Sequence, residues 1–214
     1  MKPVRMLLLS ALFLCILLVV FLWLSPGMPA RVPVHWTVSG RINGYMSPLG
    51  AVATPMIVIA VVALLTVLLP AISPRGYDIK PFVAAFGIVM LAVQVVVLIS
   101  GLAVLLNAAG HAVRIPLVSM LSVGALFMVM GNYMGKLRKN FFIGIRTPWT
   151  LASDAVWERT HRMGGWLFML AGAVVMAMAL IGTPMPLLMG VALCAALIPV
   201  IYSYVAYRRM ASHG

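Results

Sequence analysis

The residues of this 214-residue sequence that could do chemistry are concentrated in one long loop. Asp154, Glu158 and His161 are spaced i, i+4 and i+7, so on a helix they would project from the same side. Two carboxylates and an imidazole in this pattern could bind a metal ion, as on the helices of di-iron proteins. Such sites need further carboxylates from other helices, and only Asp78 remains in the chain. The sequence therefore favours a Glu158–Arg162 ion pair, and it predicts no catalytic residue, metal or cofactor.

Composition excludes the soluble classes of protein. Hydrophobic residues make up 64% of the chain and charged residues 8%, whereas a soluble domain is roughly half apolar and about a quarter charged. The 15 Lys and Arg residues face 3 acids, which gives a formal net charge of +12. A soluble nucleic-acid-binding protein would carry more charges of both signs, and a disordered chain would be less hydrophobic. The composition therefore predicts an integral membrane protein.

Six apolar stretches are long enough to cross a bilayer, which takes about 20 residues in a helix. The first stretch follows Lys2 and Arg5, as in a signal peptide, but it exceeds the length of a signal-peptide core and no convincing cleavage site follows it. We therefore expect an uncleaved anchor helix and an all-α polytopic fold. The predicted transmembrane helices are residues 6–24, 51–69, 82–106, 115–134, 164–181 and 186–204.

The basic residues orient these helices, because cytoplasmic loops are enriched in Lys and Arg. Twelve of them fall on one side of the alternating topology, and Arg31, Arg41 and Arg114 fall on the other. The sequence thus predicts that both termini are cytoplasmic. The twelve are Lys2, Arg5, Arg75, Lys80, Lys136, Arg138, Lys139, Arg146, Arg159, Arg162, Arg208 and Arg209.

Residues 25–49 form the first of two loops that are too long to be simple connectors. Apolar side chains alternate with others over residues 32–38, which is a strand-like or interfacial pattern. Gly40, Asn43 and Gly44 are typical of turns. One interpretation is an interfacial cap over the helix ends. The other is an outward recognition surface for a ligand or peptide, built from His35, Trp36, Arg41 and Tyr45.

Residues 135–163 form the second long loop, which should face the cytoplasm. Aromatic and aliphatic residues interleave there with basic ones, as expected of a segment on an anionic membrane surface. Ser153 is placed to cap a short helix whose first residue is Asp154. The fifth transmembrane helix is expected to begin separately, at Gly164.

The second loop closely resembles the signature of the SdpI/YfhL membrane proteins. The sequence GIRTPWTL occupies residues 144–151, and an acid, Val-Trp, Thr-His-Arg, a glycine and an apolar helix follow it, as in that family. These residues either contact a partner or support the loop, and both interpretations stay open. They are Gly144, Arg146, Thr147, Pro148, Trp149, Asp154, Trp157, Thr160, His161 and Arg162.

The first loop resembles a companion domain of unknown function that often precedes this family, with a P-x-H-W motif and a Gly-x-x-x-Gly-Tyr turn. Asn43 stands where that pattern usually has Asp, which puts in doubt any role that needs a negative charge there. We expect a two-helix unit over residues 1–70 and a four-helix unit over 71–214. The candidate ligand contacts are Pro33, His35, Trp36, Gly40, Gly44 and Tyr45.

The resemblance implies a non-enzymatic immunity protein of the bacterial cell membrane. The best-known family member protects a toxin-producing bacterium against its own secreted antimicrobial peptide, and with toxin bound it holds a transcriptional autorepressor at the membrane. The implied partners are the lipid bilayer, a peptide toxin outside and a winged-helix repressor inside, with no direct contact to nucleic acid.

Two alternatives to the immunity function remain. One is a transporter or exporter of peptides or small amphiphiles, with a polar cavity around Gln94, Ser100, Asn107 and His111. The other is a metal-dependent enzyme at Asp154, Glu158 and His161.

Overall fold

The computed structural model describes residues 3–37 and 39–211, and among them seven α-helices and one β-hairpin. Lys2 of the charge pattern and Val38 of the predicted alternation lie outside the described residues. The helices are α1 (Pro3–Leu24), α2 (Pro48–Ile72), α3 (Val83–Ala108), α4 (Ile115–Met134), α5 (Pro148–Ala152), α6 (Asp154–Leu180) and α7 (Met185–Ala211). The strands are β1 (Val32–Trp36) and β2 (Ile42–Met46).

Six of these helices, all except the short α5, are long and apolar enough to cross a membrane. They correspond one to one with the six predicted spans, so the polytopic helical fold is confirmed. Many apolar side chains on their outer faces are exposed, among them Leu8, Leu64 and Leu170. Such a surface fits lipid tails, which need no polar partners.

The hairpin corrects the expectation that Asn43 and Gly44 lie in turns. The strands β1 and β2 pair antiparallel, with Val32 opposite Met46 and Trp36 opposite Ile42. Gly40, at φ +78°, lies in the connection between the strands as predicted, but Asn43 and Gly44 lie inside β2. Asn and Gly are common in turns, but here pairing with β1 supplies the backbone hydrogen bonds that a turn would otherwise provide.

The predicted start of the fifth transmembrane helix, at Gly164, is wrong. The helix α6 begins at Asp154 and runs without a break to Leu180. Its N-cap is Ser153, whose hydroxyl accepts a hydrogen bond from the Val156 amide at 3.4 Å, as expected. Two adjacent glycines weaken a helix in isolation. In this protein they are buried against α4, and that packing keeps the helix continuous.

The helices form a bundle in which α3 occupies a linking position. It packs against α1 and α2 on one side and against α4 on the other. The series then continues from α4 to α6 and from α6 to α7, and the α4–α6 pair has the most extensive contact of all. The expected division of the chain between residues 70 and 71 stays a prediction.

Glycines line the crossing of α4 and α6. Gly124 lies against Gly172 and Gly131 lies against Gly165, so the two antiparallel helices meet at glycines spaced seven residues apart on each. A Cβ atom on Gly131 would come 2.5 Å from the Gly165 carbonyl oxygen, and one on Gly165 would come 2.8 Å from the Gly131 carbonyl oxygen. Membrane helices use small residues in this way to bring their backbones together.

We therefore expect Gly131→Ala or Gly165→Ala to destabilise the bundle by about 1–3 kcal/mol, because the added methyl group would overlap the backbone of the facing helix. The measurement is thermal unfolding of purified protein in detergent. Gly190→Ala is the matched control, since Gly190 also lies in a long helix but no atom lies within 4 Å of an added Cβ. Its stability should be unchanged or higher by up to about 1 kcal/mol. Equal melting temperatures for all three variants would contradict this account of the crossing.

Candidate functional site

Asn140 organises the loop between α4 and α5, which we call the signature loop (residues 135–147). Its side chain is fully buried. The amide nitrogen donates to the carbonyl oxygens of Arg138, at 2.8 Å, and Ile143, at 3.0 Å. The amide oxygen accepts from the backbone N–H groups of Phe142 and Ile143, both at 2.8 Å. One side chain thus satisfies four backbone groups, which closes the loop into a compact turn.

Two buried side chains of α6 hold this loop at both ends. The Trp157 indole N–H donates to the Leu137 carbonyl oxygen at 2.8 Å. The Ile145 backbone N–H donates to His161 Nε2 at 3.0 Å, and His161 Nδ1 lies 2.9 Å from the Trp157 carbonyl oxygen. Because Nε2 accepts, the hydrogen-bond network assigns the ring proton to Nδ1 and leaves the imidazole neutral. The two rings stack with centroids 4.0 Å apart.

Gly144 is required at the point where the loop passes His161. Its φ of +107° is rare for residues that carry a side chain. A Cβ atom at this position would also overlap the Nε2 atom of His161. The glycine therefore serves both the turn and the approach of the Ile145 amide to the imidazole.

The threonines of the signature fasten α5 to α7. The Thr147 hydroxyl accepts from the Thr150 amide at 3.3 Å, and the Thr150 hydroxyl accepts from the Thr147 amide at 2.9 Å, which makes a capping box at the start of α5. The Thr147 hydroxyl also lies 3.2 Å from the hydroxyl of Ser203 on α7. The Trp149 indole donates to the same Ser203 oxygen, and its ring meets Tyr204 edge-on at 5.2 Å.

The charged signature residues remain outside this buried network. Asp154 pairs with Lys139 at 2.7 Å, and Glu158 lies 3.9 Å from Arg138 rather than in the predicted pair with Arg162. The Glu158–Arg138 pair is exposed and contributes little. In the folded protein, the acids of α6 thus pair with basic residues of the signature loop and not with Arg162 on the same helix. Arg146, which is exposed, donates to the Phe141 carbonyl oxygen.

A polar cavity of about 840 Å³, the loop cavity, lies beside these ion pairs. The candidates Asp154, Glu158, His161 and Arg162 all line it, as their helical spacing predicts. Asp78 borders it as well, so all three acids of the chain lie at this cavity. Four basic side chains also line it. The basic residues are Lys136, Arg138, Lys139 and Arg162.

The geometry gives no support to a metal site on α6. Both ring nitrogens of His161 are already engaged by backbone groups, so neither has a free lone pair directed at an ion. Across residues 3–37 and 39–211, no group of three or more His, Cys, Asp or Glu side chains is arranged to bind one. Thr160, another signature residue, is buried and its hydroxyl lacks a hydrogen-bond partner among these residues.

The candidate residues of the first loop lie on the hairpin. Pro33 is opposite Tyr45, whose ring lies 4.8 Å from the Arg31 guanidinium. His35 is opposite Gly44, where a Cβ would come 2.8 Å from the His35 Cβ, so only glycine fits this position.

The residue Asn43, which replaces the usual Asp of the companion domain, also pairs across the hairpin. Its Oδ1 lies 2.5 Å from His35 Nδ1. An amide oxygen therefore makes the contact with the imidazole that the more common carboxylate could make.

A second cavity, the hairpin cavity, lies at the opposite ends of α4 and α6 from the loop cavity and has a volume of about 400 Å³. Trp36 and Gly40 of the first loop line it, together with Asn107 of α3 and Arg114, which precedes α4. Its apolar wall includes Ile115, Met120 and Leu188. The other candidates of the expected polar cavity are not among its lining residues: Gln94 is buried inside α3, Ser100 is half-buried and His111 is exposed.

Sequence reasoning missed several residues that build these sites. The Thr147-Pro148-x-Thr150 pattern resembles a capping box and could have indicated the start of α5. Ser203 gave no local signal, because its partners lie more than fifty residues earlier in the chain. Asn140 was not among the predicted residues, and Arg114 appeared only in the count of basic residues.

We expect Trp157→Phe to loosen the signature loop, because the change removes the indole N–H and leaves the Leu137 carbonyl without its partner. The local cost should be about 1–3 kcal/mol. Limited trypsin digestion in detergent measures it, with cleavage after Lys136, Arg138 and Lys139 rising about tenfold. Trp166→Phe, at a 73% exposed position of the same helix, is the control and should leave the rate unchanged. Unaltered cleavage of the Trp157→Phe protein would show that this bond does not hold the loop.

Comparison with known proteins finds a family match in each of the two long loops. Residues 136–203 match the SdpI/YfhL protein family, and residues 12–59 match a domain of unknown function, DUF1648. The chain is 25% identical over 166 residues to Immunity protein SdpI of Bacillus subtilis (strain 168), an alignment that covers 78% of this chain and 77% of that protein. No solved structure matches the chain.

The two matched regions contain the elements described above. The DUF1648 match includes the hairpin and most of α1, and the SdpI/YfhL match includes the signature loop, α5, α6 and most of α7. This chain is thus a multi-pass membrane protein in which residues 136–203 are similar to the SdpI/YfhL protein family and residues 12–59, ahead of them, are similar to DUF1648.

Proposed function

We propose that this chain is a membrane immunity protein that protects its host against a secreted antimicrobial peptide. The observation that carries the proposal is the similarity to Immunity protein SdpI along 78% of the chain. The family matches extend through the hairpin and the signature loop, so they include the two regions that are not required for spanning the bilayer.

The proposal includes an orientation in which both termini face the cytoplasm. The signature loop, with its cluster of basic residues, then lies inside, and the hairpin lies outside. The support is the unequal distribution of Lys and Arg, since basic residues are retained preferentially on the cytoplasmic side. In this orientation the hairpin cavity opens to the side from which a secreted peptide arrives.

The proposal gives the signature loop the role of binding a transcriptional repressor. Three observations support it. Buried bonds of Asn140, Trp157 and His161 fix the loop backbone, so a partner would meet a preorganised surface at small entropic cost. The basic side chains of Lys136, Arg138 and Arg146 are exposed on it. Phe141 is also exposed, and its ring packs on Tyr77 with centroids 4.1 Å apart.

Cysteine labelling tests the orientation. In a chain with Cys15 and Cys194 replaced by Ala, a Ser39→Cys variant should react with a membrane-impermeant maleimide in intact cells. An Arg75→Cys variant should react only after the membrane is opened. Both positions are exposed loop residues, so they are matched for accessibility. The reverse pattern would invert the topology and overturn the assignment of the two loops.

Competition in co-culture tests immunity even when the toxin is unidentified. We propose that the parent strain itself secretes the toxin, so a strain that lacks this gene should lose ground to the parent, which keeps the protection. The same deletion strain supplied with the gene should survive as the parent does. Colony counts over successive generations measure the outcome, with an empty vector as control. Equal survival of deleted and complemented strains would contradict an immunity function.

A further inference from the structure

The hairpin cavity has a charge arrangement that favours an anionic ligand. Arg114 is exposed at its lining and lies immediately before α4. All three acids of the chain border the loop cavity, at the far ends of α4 and α6. The 20 residues of α4 alone separate the two ends by about 30 Å. In the described part of the chain, no carboxylate therefore neutralises the Arg114 guanidinium.

The rest of the cavity is suited to apolar groups. Ile115 and Leu188 are buried in its wall, at 8% and 2% exposure, and Met120 adds a flexible side chain that can adapt to a ligand. Trp36 lines it from the hairpin. A volume of about 400 Å³ lies within the usual range for small-molecule and peptide-end sites.

The hairpin beside the cavity has strand edges that a peptide could pair with. Gly40 and Gly182 both line it with open space beside them, and their N–H groups donate to the carbonyl oxygens of Thr37 and Ala179. The hairpin has only two strands, which leaves each strand with one unpaired edge. An extended peptide can form hydrogen bonds with the unpaired edge of a strand, whereas a fatty acid has no amides to offer.

We propose that the hairpin cavity binds the C-terminal end of an apolar peptide. The terminal carboxylate pairs with Arg114, and the last apolar side chains lie between Trp36 and the wall of Ile115 and Leu188. This inference rests on the proposed immunity function and specifies where the protein meets its peptide. It also makes the site a composite, since the hairpin belongs to the DUF1648 match and Leu188 to the SdpI/YfhL match.

Binding measurements on the full chain in lipid nanodiscs test the site. The probes are acetylated tetrapeptides that end in two leucines or two phenylalanines, each with a free carboxylate or as the amide. We expect the free acids to bind wild-type protein about tenfold or more tightly than the amides, the loss typical of a bond to a charged group. Arg114→Gln should abolish that difference. The substitution should not impair folding, because the Arg114 side chain makes no helix-capping bond.

Arg31→Gln is the matched control, since it removes another exposed cation of the same side that does not line the cavity. It should keep the tenfold preference. Equal binding of acid and amide by the wild type, or an unchanged preference in Arg114→Gln, would overturn the proposal. Binding of decanoate without any binding of the peptides would also overturn it, in favour of a fatty-acid site.

The co-culture competition separates this inference from the proposed function. If wild-type protein protects and Arg114→Gln protects equally, immunity stands and the Arg114 site is wrong. If the peptides bind as expected and wild-type protein gives no protection, the cavity stands and the immunity function is wrong.

Discussion

The backbones of α4 and α6 approach each other closely because glycines face glycines at both crossing points. Both cavities depend on this contact. Residues at the start of α4 and the end of α6 line the hairpin cavity, and residues just after α4 and at the start of α6 line the loop cavity. A side chain at any of the four glycines would separate the helices along their length. The geometry at each end therefore depends on a contact in the middle of the bundle.

The chemistry of α6 differs between its faces. Trp157 and His161 are buried and bond to the signature loop, whereas Asp154 and Glu158 are exposed and pair with the loop's cations. The buried bonds hold neutral backbone groups, which avoids the desolvation of charge that a buried ion pair would require. The exposed charges remain available on the surface of the loop cavity. The buried side chains of α6 thus support the signature loop, and its exposed charged side chains remain accessible.

Much of the architecture could be predicted from the sequence because it follows from local or compositional rules. The six spans follow from runs of apolar residues, and the Ser153 cap follows from a pattern of neighbouring residues. The start of α6 and the second hairpin strand could not be predicted in this way. Gly164 and Gly165 tolerate a helix only because α4 packs on them, and Asn43 and Gly44 form a strand only because β1 pairs with them.

Sequence alone determined that this is a membrane protein, how many helices are long and apolar enough to cross the bilayer, and which two loops are more than connectors, because hydropathy and motifs are properties of adjacent residues. Tertiary structure decided what those loops are built from. It joined Thr147 and Trp149 to Ser203, and it engaged both nitrogens of His161 with backbone groups. It also placed Arg114 at an apolar cavity, far from every acid. These relations join residues from distant parts of the chain, so they exist only once the helices have packed.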